Sequence, residues 1–317
     1  ARGWLLNSVE AARGRVQPSL ERERAALEAH AGYGVGFQPT PRKYVEAVTR
    51  ALRSIEAREL DKVVLARRLE LAFDEPIDCS EWLRRFYAQN PAAYVFSIDL
   101  AAPGEPLHKL MGASPELLLQ KRGAQVATNP LAGSRARGRD KQEDEARVRE
   151  LLSSDKDRRE HALVVDAVAS TLRSFCTDLQ LPKQPSLLST PTMWHLSTSI
   201  TGKLRDPDCS SIELVQALHP TPAVAGLPRE RALSLIAELE GGARGPFAGA
   251  VGHCDAQGDG EWAVSLRCVE LRPQSAVLFA GAGIVAGSDP WSELDETGAK
   301  FRTALRALGV PLLSGAS

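Results

Sequence analysis

Two pairs of carboxylates stand out in the sequence because each pair is spaced to share one face of a helix. Asp157 and Glu160 are three residues apart, and so are Glu293 and Glu296, far along the chain. Like charges this close repel one another unless a cation lies between them. Mg²⁺ prefers oxygen ligands, commonly carboxylates together with water and an anionic substrate. The pairs are therefore candidate magnesium ligands, although either pair alone is more typical of an ordinary solvated helix face.

A lysine and a glutamate beside apolar strands are candidates for proton transfer. Lys62 begins the apolar run Lys62–Ala66, and Glu116 precedes the run Leu117–Leu119. Burial disfavours the charged form of an ionisable group, which makes an amine a better base and a carboxyl group a better proton donor near neutral pH. A base, an acid and a magnesium site together indicate an elimination or substitution on an anionic substrate.

The overall composition excludes several functional classes. The 317 residues carry a formal net charge of −1, with 43% hydrophobic and 25% charged residues, as in ordinary globular proteins. This balance gives no support for binding nucleic acid or a membrane surface, and no apolar run is long enough to span a membrane. The five cysteines are scattered without a Cys-x-x-Cys pair, which argues against disulfides or a zinc site and is typical of a cytoplasmic protein.

Helices and strands are both predicted along the chain, with the acidic pairs on two of the helices. Helices are predicted at 40–60, 78–90, 155–175, 211–218, 228–239 and 290–308, with a charged exposed helix within 135–156 and helical spacing in 1–30. Strands are predicted at 62–66, 94–98, 117–119, 125–128, 193–196, 199–203, 249–254, 261–270 and 276–282, and loops at 32–36 and 182–191. Because turns separate strands as often as helices do, we expect an α+β fold with mainly antiparallel sheet, as one domain over 1–317.

The glycines of Gly281–Ala286 match a dinucleotide-binding fingerprint only in part. Ser288–Pro290 interrupts the chain before the next helix, so no helix N-terminus follows the glycines to hold a pyrophosphate. An NAD(P)-dependent oxidoreductase is therefore disfavoured, and the glycines instead indicate close approach of the backbone to a ligand. The segment Leu218–Gly226 is stiffened by prolines, and it either contacts the ligand as well or only connects two helices. His195, between apolar neighbours, is typical of a buried core histidine.

Eight ordered segments resemble the chorismate-utilising enzymes, and they run from about Pro41 to Val310. The segments are Lys62–Arg67, Gly112–Glu116, Pro130–Ser134, Lys156–His161, Thr192–Leu196, His219–Gly226, Gly281–Ile284 and Glu293–Thr297. Within the family they are most similar to isochorismate synthases of the siderophore or menaquinone type. The resemblance implies the aminodeoxychorismate synthase-like α/β sandwich, with mainly antiparallel sheets flanked by helices. It also implies a chorismate-binding core at about 41–310, without the N-terminal segment of longer relatives.

The resemblance implies a role for each candidate residue. Lys62 would activate water for attack at C2 of chorismate, and Glu116 would protonate the departing C4 hydroxyl. Mg²⁺ would hold the ring carboxylate, with Glu160 and Glu296 as direct ligands and Asp157 and Glu293 supporting through water. The groups expected to hold the pyruvyl carboxylate are Arg267 and the backbone of Gly281. The residues expected to line the rest of the pocket are Gly133, Ser134, His195, Ala223 and Lys300.

Three details favour transfer of a hydroxyl group over the other reactions of the family. Lys62 suits activation of water, whereas anthranilate-type members have a different residue there and use ammonia. Ala223 and Phe247 stand where salicylate synthases tend to have Thr and Tyr. The alternatives are a salicylate synthase, an aminodeoxychorismate- or anthranilate-type enzyme, or a non-catalytic chorismate-binding homologue, which has no need of the intact Lys62, Glu116, Glu160 and Glu296. We expect a monomer with chorismate as its small-molecule partner.

Overall fold

Helices and antiparallel strands make up residues 33–310, the part of the chain that the structure, a computed structural model, describes. The helices are α1 Pro41–Glu56, α2 Cys79–Gln89, α3 Lys141–Ser153, α4 Asp155–Phe175, α5 Ser211–Leu218, α6 Arg229–Glu240 and α7 Pro290–Leu308. The strands are β1 Tyr33–Gln38, β2 Lys62–Phe73, β3 Tyr94–Asp99, β4 Lys109–Ser114, β5 Leu117–Arg122, β6 Gln125–Asn129, β7 Leu131–Ala136, β8 Cys176–Gln180, β9 Ser186–Ser189, β10 Met193–Ser197, β11 Ile200–Leu204, β12 Gly226–Leu227, β13 Ala250–Cys254, β14 Gly260–Val264, β15 Cys268–Arg272 and β16 Ser275–Val285.

The strands form three sheets, and every described pairing is antiparallel. A seven-stranded sheet has the order β1-β2-β16-β15-β4-β3, with β12 paired to β2; a six-stranded sheet has the order β13-β14-β5-β6-β11-β8, and a three-stranded sheet the order β7-β10-β9. The α+β fold with antiparallel sheets predicted from the sequence is therefore confirmed.

Buried apolar side chains cover both faces of the seven-stranded sheet. On one face, side chains of α4, α5 and the six-stranded sheet pack against β16, represented by Val164, Leu214, Leu119 and Phe279. On the other face, α1, α6 and α7 pack against β2, with Val48, Leu235, Leu294 and Leu65 among the contacts. Successive side chains of a strand point to opposite faces. Lys62 and Val64 consequently face the interior of the sandwich, while Val63 and Leu65 face the helices.

Helix caps place both acidic pairs in the first two turns of their helices. Ser154 caps the start of α4, because its side chain accepts a hydrogen bond from the backbone N–H of Asp157. Asp289 accepts one from the backbone of Ser292, with Pro290 at the first position of α7, and the helix ends before a left-handed Gly309. Both helices have the bounds predicted from the sequence. None of the helices in residues 33–310 combines the length and apolar character needed to cross a membrane.

Several predicted elements are wrong, mostly where pairing is with a distant strand. Residues 33–38 form strand β1 instead of a loop, because they pair with the far half of β2. Part of the loop predicted at 182–191 is strand β9, which pairs with β10. The strand predicted at 261–270 is two strands, β14 and β15, separated at 265–267. The first helix ends at Glu56 instead of continuing to Leu60. The helical spacing in 1–30 lies outside the described residues.

The charged stretch 135–156 is only partly the exposed helix predicted from the sequence. Helix α3 is exposed along much of its length and carries ion pairs such as Arg139–Glu143 and Arg147–Glu143. Arg135, however, lies in strand β7 and pairs with Asp157 at 2.6 Å, and Lys156 belongs to α4. These two cations consequently contact the acidic pairs instead of forming part of a solvated helix face.

Candidate active site

A cleft lies between β2, β16, the three-stranded sheet and the loops of the six-stranded sheet. Predicted site residues line it together: Glu116, Gly133, Ser134, Glu160, His195, Ala223, Arg267, Gly281, Glu296 and Lys300. The other predicted residues do not line the cleft and are buried beside the residues that do: Lys62, Asp157 and Glu293. The fold thus brings the sequence candidates, which are spread over most of the chain, to one cavity and the layer of side chains directly behind it.

Lys62 and Glu160 form a buried ion pair that joins β2 to α4. The Lys62 Nζ lies 2.9 Å from Glu160 Oε1, and the lysine side chain is 0% exposed. Removing one partner of such a pair leaves an uncompensated buried charge, which costs about 3–5 kcal/mol in general. The pair fixes the position of the lysine amine relative to the cleft that Glu160 lines.

Gly283 makes room for this ion pair. A Cβ atom at position 283 would overlap Glu160 Oε1 and lie 3.0 Å from Lys62 Cε. The close backbone approach at Gly283 is to a side chain of the protein, and Gly283 also lines the cleft, where the expected approach to a ligand stays a prediction. The dinucleotide fingerprint is excluded by the same segment, because the glycines lie inside β16, paired with β2, and α7 begins only at Pro290.

Glu116 is a buried carboxyl group whose pKa lies close to neutral pH. It follows β4 in the turn before β5 and is 3% exposed. Burial raises the pKa of Glu116 to about 7, against the lowering effects of the Leu131 backbone N–H and of Lys62, Arg267 and Lys300. The direction is the one expected from the sequence, and it suits a group that donates a proton.

The two acidic pairs face each other across α4 and α7 and meet the protein's own cations. Lys156 Nζ lies 2.8 Å from Glu293, 3.7 Å from Asp157 and 3.9 Å from Glu160. Lys300 Nζ lies 2.6 Å from Glu296, on the adjacent turn of α7. Burial alone would raise the pKa of Glu296, but the ammonium groups of Lys300 and Lys156 outweigh it and lower that pKa to about 2. Burial, together with the neighbouring Glu296, raises the pKa of Glu293 to about 7.

The donor set of these four carboxylates fits a hard divalent cation. All the groups offer oxygen, the ligand atom that Mg²⁺ prefers. Oδ1 of Asp157 and Oε2 of Glu293 are buried and accept no hydrogen bond, whereas Oδ2 of Asp157 is paired with Arg135, and buried acceptors normally have a hydrogen bond. Within residues 33–310, no three acidic, histidine or cysteine side chains are already arranged around a common point as metal ligands. The carboxylates converge on ammonium groups instead.

One end of the cleft, which Glu296 also reaches, is cationic. Arg267 and His195 are both buried, and the Arg267 Nη2 donates to His195 Nε2 at 3.4 Å. Burial lowers the pKa of Arg267 to about 10, so the guanidinium stays charged at neutral pH. Burial, reinforced by Arg267 and Lys300, holds the pKa of His195 well below its ordinary value, so the imidazole is neutral. The backbone of Arg267 has a left-handed φ of 51°, a conformation that is costly for a non-glycine residue and is found disproportionately at binding sites.

Lys300 and Gly281 connect this cationic end to β16. The Lys300 Nζ donates to the Gly281 carbonyl at 2.8 Å, so the same ammonium group bridges the strand and Glu296. A carboxylate of an anionic ligand would find Arg267 and Lys300 here at the same time, and the planar guanidinium suits it. The cleft therefore has a carboxylate-binding end and a Glu116 that is partly protonated at neutral pH. It also has an acidic layer, formed by Asp157, Glu160, Glu293 and Glu296, that fits a metal.

Arg244 was not identified from the sequence, although it lines the cleft and holds one of its walls. Its guanidinium donates to the carbonyls of Val64 and Val224, each at 2.7 Å, and pairs with Glu240. These bonds fix the segment that carries Ala223 against β2. Nothing in the spacing around Arg244 indicates this role, because its partners are backbone atoms from distant segments. Phe247, noted only as a marker of the family branch, stacks on Phe279 with ring centroids 5.1 Å apart.

Comparison with known proteins identifies the family. The chain belongs to the family described as chorismate binding enzyme, which matches residues 8–309, as the eight segments predicted. Isochorismate synthase DhbC of Bacillus subtilis is 49% identical over 293 residues, 92% of this chain and 74% of that protein. Isochorismate synthase EntC of Escherichia coli strain K12 is 43% identical over 272 residues, 86% of this chain and 68% of that protein.

The fold agrees with that of a solved relative. The crystal structure of DhbC from Bacillus anthracis superposes with a TM-score of 0.86, at 45% sequence identity, over 88% of this chain and 75% of that chain. The α/β sandwich implied by the sequence resemblance is therefore confirmed.

Proposed function

We propose that the protein is an isochorismate synthase, an isomerase that converts chorismate to isochorismate. Identities of 43% and 49% to proteins of that name, over most of the chain, support this assignment. The observation in the structure that carries it is the pairing of Lys62 with Glu160 beside a cleft that Glu116 also lines, with the pKa of Glu116 raised to about 7. A base and a proton donor at one anion-binding cleft are what the reaction requires.

The proposed chemistry exchanges one hydroxyl position for another. Lys62, in its amine form, takes a proton from water as the water oxygen bonds to C2 of chorismate. The double bonds of the ring shift, the bond between C4 and its hydroxyl oxygen breaks, and Glu116 gives its proton to the departing hydroxyl. One water is consumed and one is released, so the product is an isomer. Glu160 holds Lys62 in place for the first proton transfer.

We propose Mg²⁺ as the metal, with Glu160 and Glu296 as direct ligands and Asp157 and Glu293 supporting through water. The all-oxygen donor set and the buried oxygens without hydrogen bonds support this site. Bound there, the ion would neutralise the ring carboxylate of the substrate. The pyruvyl carboxylate would contact Arg267 and the backbone of Gly281, with Lys300 close by. The other proposed pocket residues are Gly133, Ser134, His195 and Ala223.

We also propose that the chain acts as a single-domain monomer in the cytoplasm. All five cysteines lie within the described residues and are free, which fits a reducing compartment. Light scattering during size exclusion chromatography tests the monomer directly.

Incubating the purified protein with chorismate and Mg²⁺, without ammonia, tests the proposed function. Chromatography is expected to detect isochorismate. Salicylate with pyruvate would identify a salicylate synthase, product formation only after adding ammonium would identify an aminating enzyme, and no turnover would identify a binding homologue. Lys62→Ala is expected to abolish turnover while chorismate still binds, as measured by calorimetry. Lys183→Ala, at an exposed loop position, is the matched control and keeps full activity.

A further inference from the structure

Lys156 occupies an unusual position for a cation. It is the second residue of α4, where the positive end of the helix dipole disfavours an ammonium group. Its side chain nevertheless turns inward to the acidic layer and is only 19% exposed, in contact with a Glu293 side chain that is 3% exposed. Carboxylates of both acidic helices lie between 2.8 and 3.9 Å from its ammonium nitrogen. The ammonium group is therefore held by carboxylates that overcome both the helix dipole and desolvation.

The four candidate ligands are each matched by a cation of the chain. Arg135 pairs with Asp157, Lys62 with Glu160 and Lys300 with Glu296, each contact involving one of the two acidic helices. Lys156 differs from these three cations, because it contacts Asp157 and Glu160 on α4 and also Glu293 on α7. It therefore bridges the two acidic pairs, which is the place that a metal shared by both pairs would need.

We propose that Lys156 is a tethered counter-cation of the metal site, and that its ammonium group must leave the acidic layer when a divalent ion binds. The inference rests on the proposed metal site. An ammonium group and a dication cannot share the same carboxylate oxygens without strong repulsion. The lysine side chain is flexible and partly exposed, so its ammonium group can move to water on a stem of four carbons. Lys156 thereby joins the two helices in the metal-free protein and competes with the metal.

This arrangement predicts two effects of removing the ammonium group that have opposite signs. In Lys156→Met the metal-free acidic layer carries one more uncompensated negative charge, so the protein is less stable in a chelator. The uncompensated carboxylate also attracts a divalent ion, so Lys156→Met binds the ion more tightly than wild type does. A residue with a merely structural role would lower stability without improving metal binding. The two readouts together therefore separate a competing cation from a packing residue.

The experiment measures binding of Mn²⁺, as a paramagnetic substitute for Mg²⁺, by electron paramagnetic resonance in the absence of chorismate. Melting temperatures are recorded in EDTA and with saturating Mg²⁺. Lys156→Met is expected to bind Mn²⁺ about tenfold more tightly than wild type. It is also expected to melt earlier in EDTA and to gain more from added Mg²⁺. Arg159→Met, which removes a charge from the exposed side of the same helix, is the matched control and is expected to behave as wild type does.

The possible failures can be told apart. If wild type binds Mn²⁺ but Lys156→Met binds it no more tightly, the tethered cation is wrong while the metal site stands. If wild type binds no Mn²⁺ with or without chorismate, the proposed metal site is wrong and this inference is wrong with it. Should Lys156→Met fold poorly, Lys156→Gln gives the same comparison. Lys156→Arg, which keeps a cation, is expected to restore the melting temperature in EDTA.

Discussion

Glu116 combines deep burial with a nearby cluster of cations, and the balance between these effects determines its protonation. Burial prevails and raises its pKa to about 7, so a substantial fraction holds a proton at neutral pH. Glu116→Gln keeps the shape of the side chain but cannot donate a proton in the same way. We expect turnover to fall by about 10²–10⁴-fold, the usual contribution of a general acid. Calorimetry should show that chorismate still binds, and loss of binding would indicate a role in holding the substrate instead.

The pKa of Glu116 also predicts how stability depends on pH. The ordinary pKa of the group is 4.5 and the folded value is about 7, so the folded protein binds more protons between these values than the unfolded chain. Stability is therefore greatest below about pH 4.5 for this group and decreases as pH rises through 7, by up to about 3 kcal/mol. Glu293, with a pKa also raised to about 7, acts in the same direction.

Urea unfolding at a series of pH values between 5 and 8 provides the measurement. As pH rises across this range, Glu116→Gln is expected to lose less stability than wild type, or to gain more, because it lacks one of the carboxyl groups whose pKa burial raises. His161 and His195, whose pKa burial lowers, act in the opposite direction but are common to both proteins. A variant with the same slope as wild type would contradict the assigned protonation of Glu116. The kcat/KM of wild type should decline above about pH 7 for the same reason, since the acid form is then depleted.

At the scale of single residues, the sequence indicated which residues belong to the site better than it indicated which residues they contact. Lys62 and Glu116 were identified because a charge beside an apolar strand is chemically conspicuous, and both are buried at the site. Arg135 was assigned to an exposed helix because its neighbours in sequence are charged. Its partner Asp157 is distant in the chain, and no local pattern reports a contact of that kind.

At the scale of elements, the contact between β16 and α4 is the most tightly constrained part of the site. Gly283→Ala would place a methyl group against Glu160 Oε1 and close to Lys62 Cε, and both are parts of a buried ion pair. We expect a loss of stability of at least about 1–3 kcal/mol, as for other overpacked positions, together with a large loss of turnover. Thermal unfolding and steady-state kinetics measure the two effects.

Gly36→Ala is the matched control for this prediction. Gly36 also lies in a strand, but a Cβ atom there would meet no other atom within 4 Å. The control is expected to retain the activity and stability of wild type. Wild-type kinetics in Gly283→Ala would show that the separation of β16 and α4 is not critical to the site.

Elements with a strong local signal were predicted best. Helices α4 and α7 have clear caps and periodic apolar faces, and the sequence placed both correctly. Strand β1 was missed because Tyr33–Gln38 is rich in glycine and is ordered by pairing with the distant half of β2. Whether such a glycine-rich segment forms a loop or a strand depends on pairing with a distant strand more than on its own residues. A local sequence pattern therefore cannot distinguish the two.

At the scale of the whole molecule, the sandwich brings residues from distant segments to one cleft. Alternation along β2 directs Lys62 and Val64 to the interior, and the antiparallel register sets Val64 opposite Gly283 and Lys62 opposite Val285. The sequence established the family through ordered segments, and the family then implied the sandwich. Composition and periodicity alone reached only an α+β fold, because sheet order depends on contacts between segments far apart in the chain.

Attack of water at C2 is the central claim of the proposed mechanism, and isotope labelling tests it most directly. The protein is incubated with chorismate and Mg²⁺ in water enriched in ¹⁸O, and the product is analysed by mass spectrometry and NMR. Water attack at C2 gives isochorismate with one ¹⁸O atom, located in the hydroxyl group at C2, and none of this product is expected with Lys62→Ala. Isochorismate that carries no ¹⁸O would rule out attack of water, because the hydroxyl group would then have moved within the substrate.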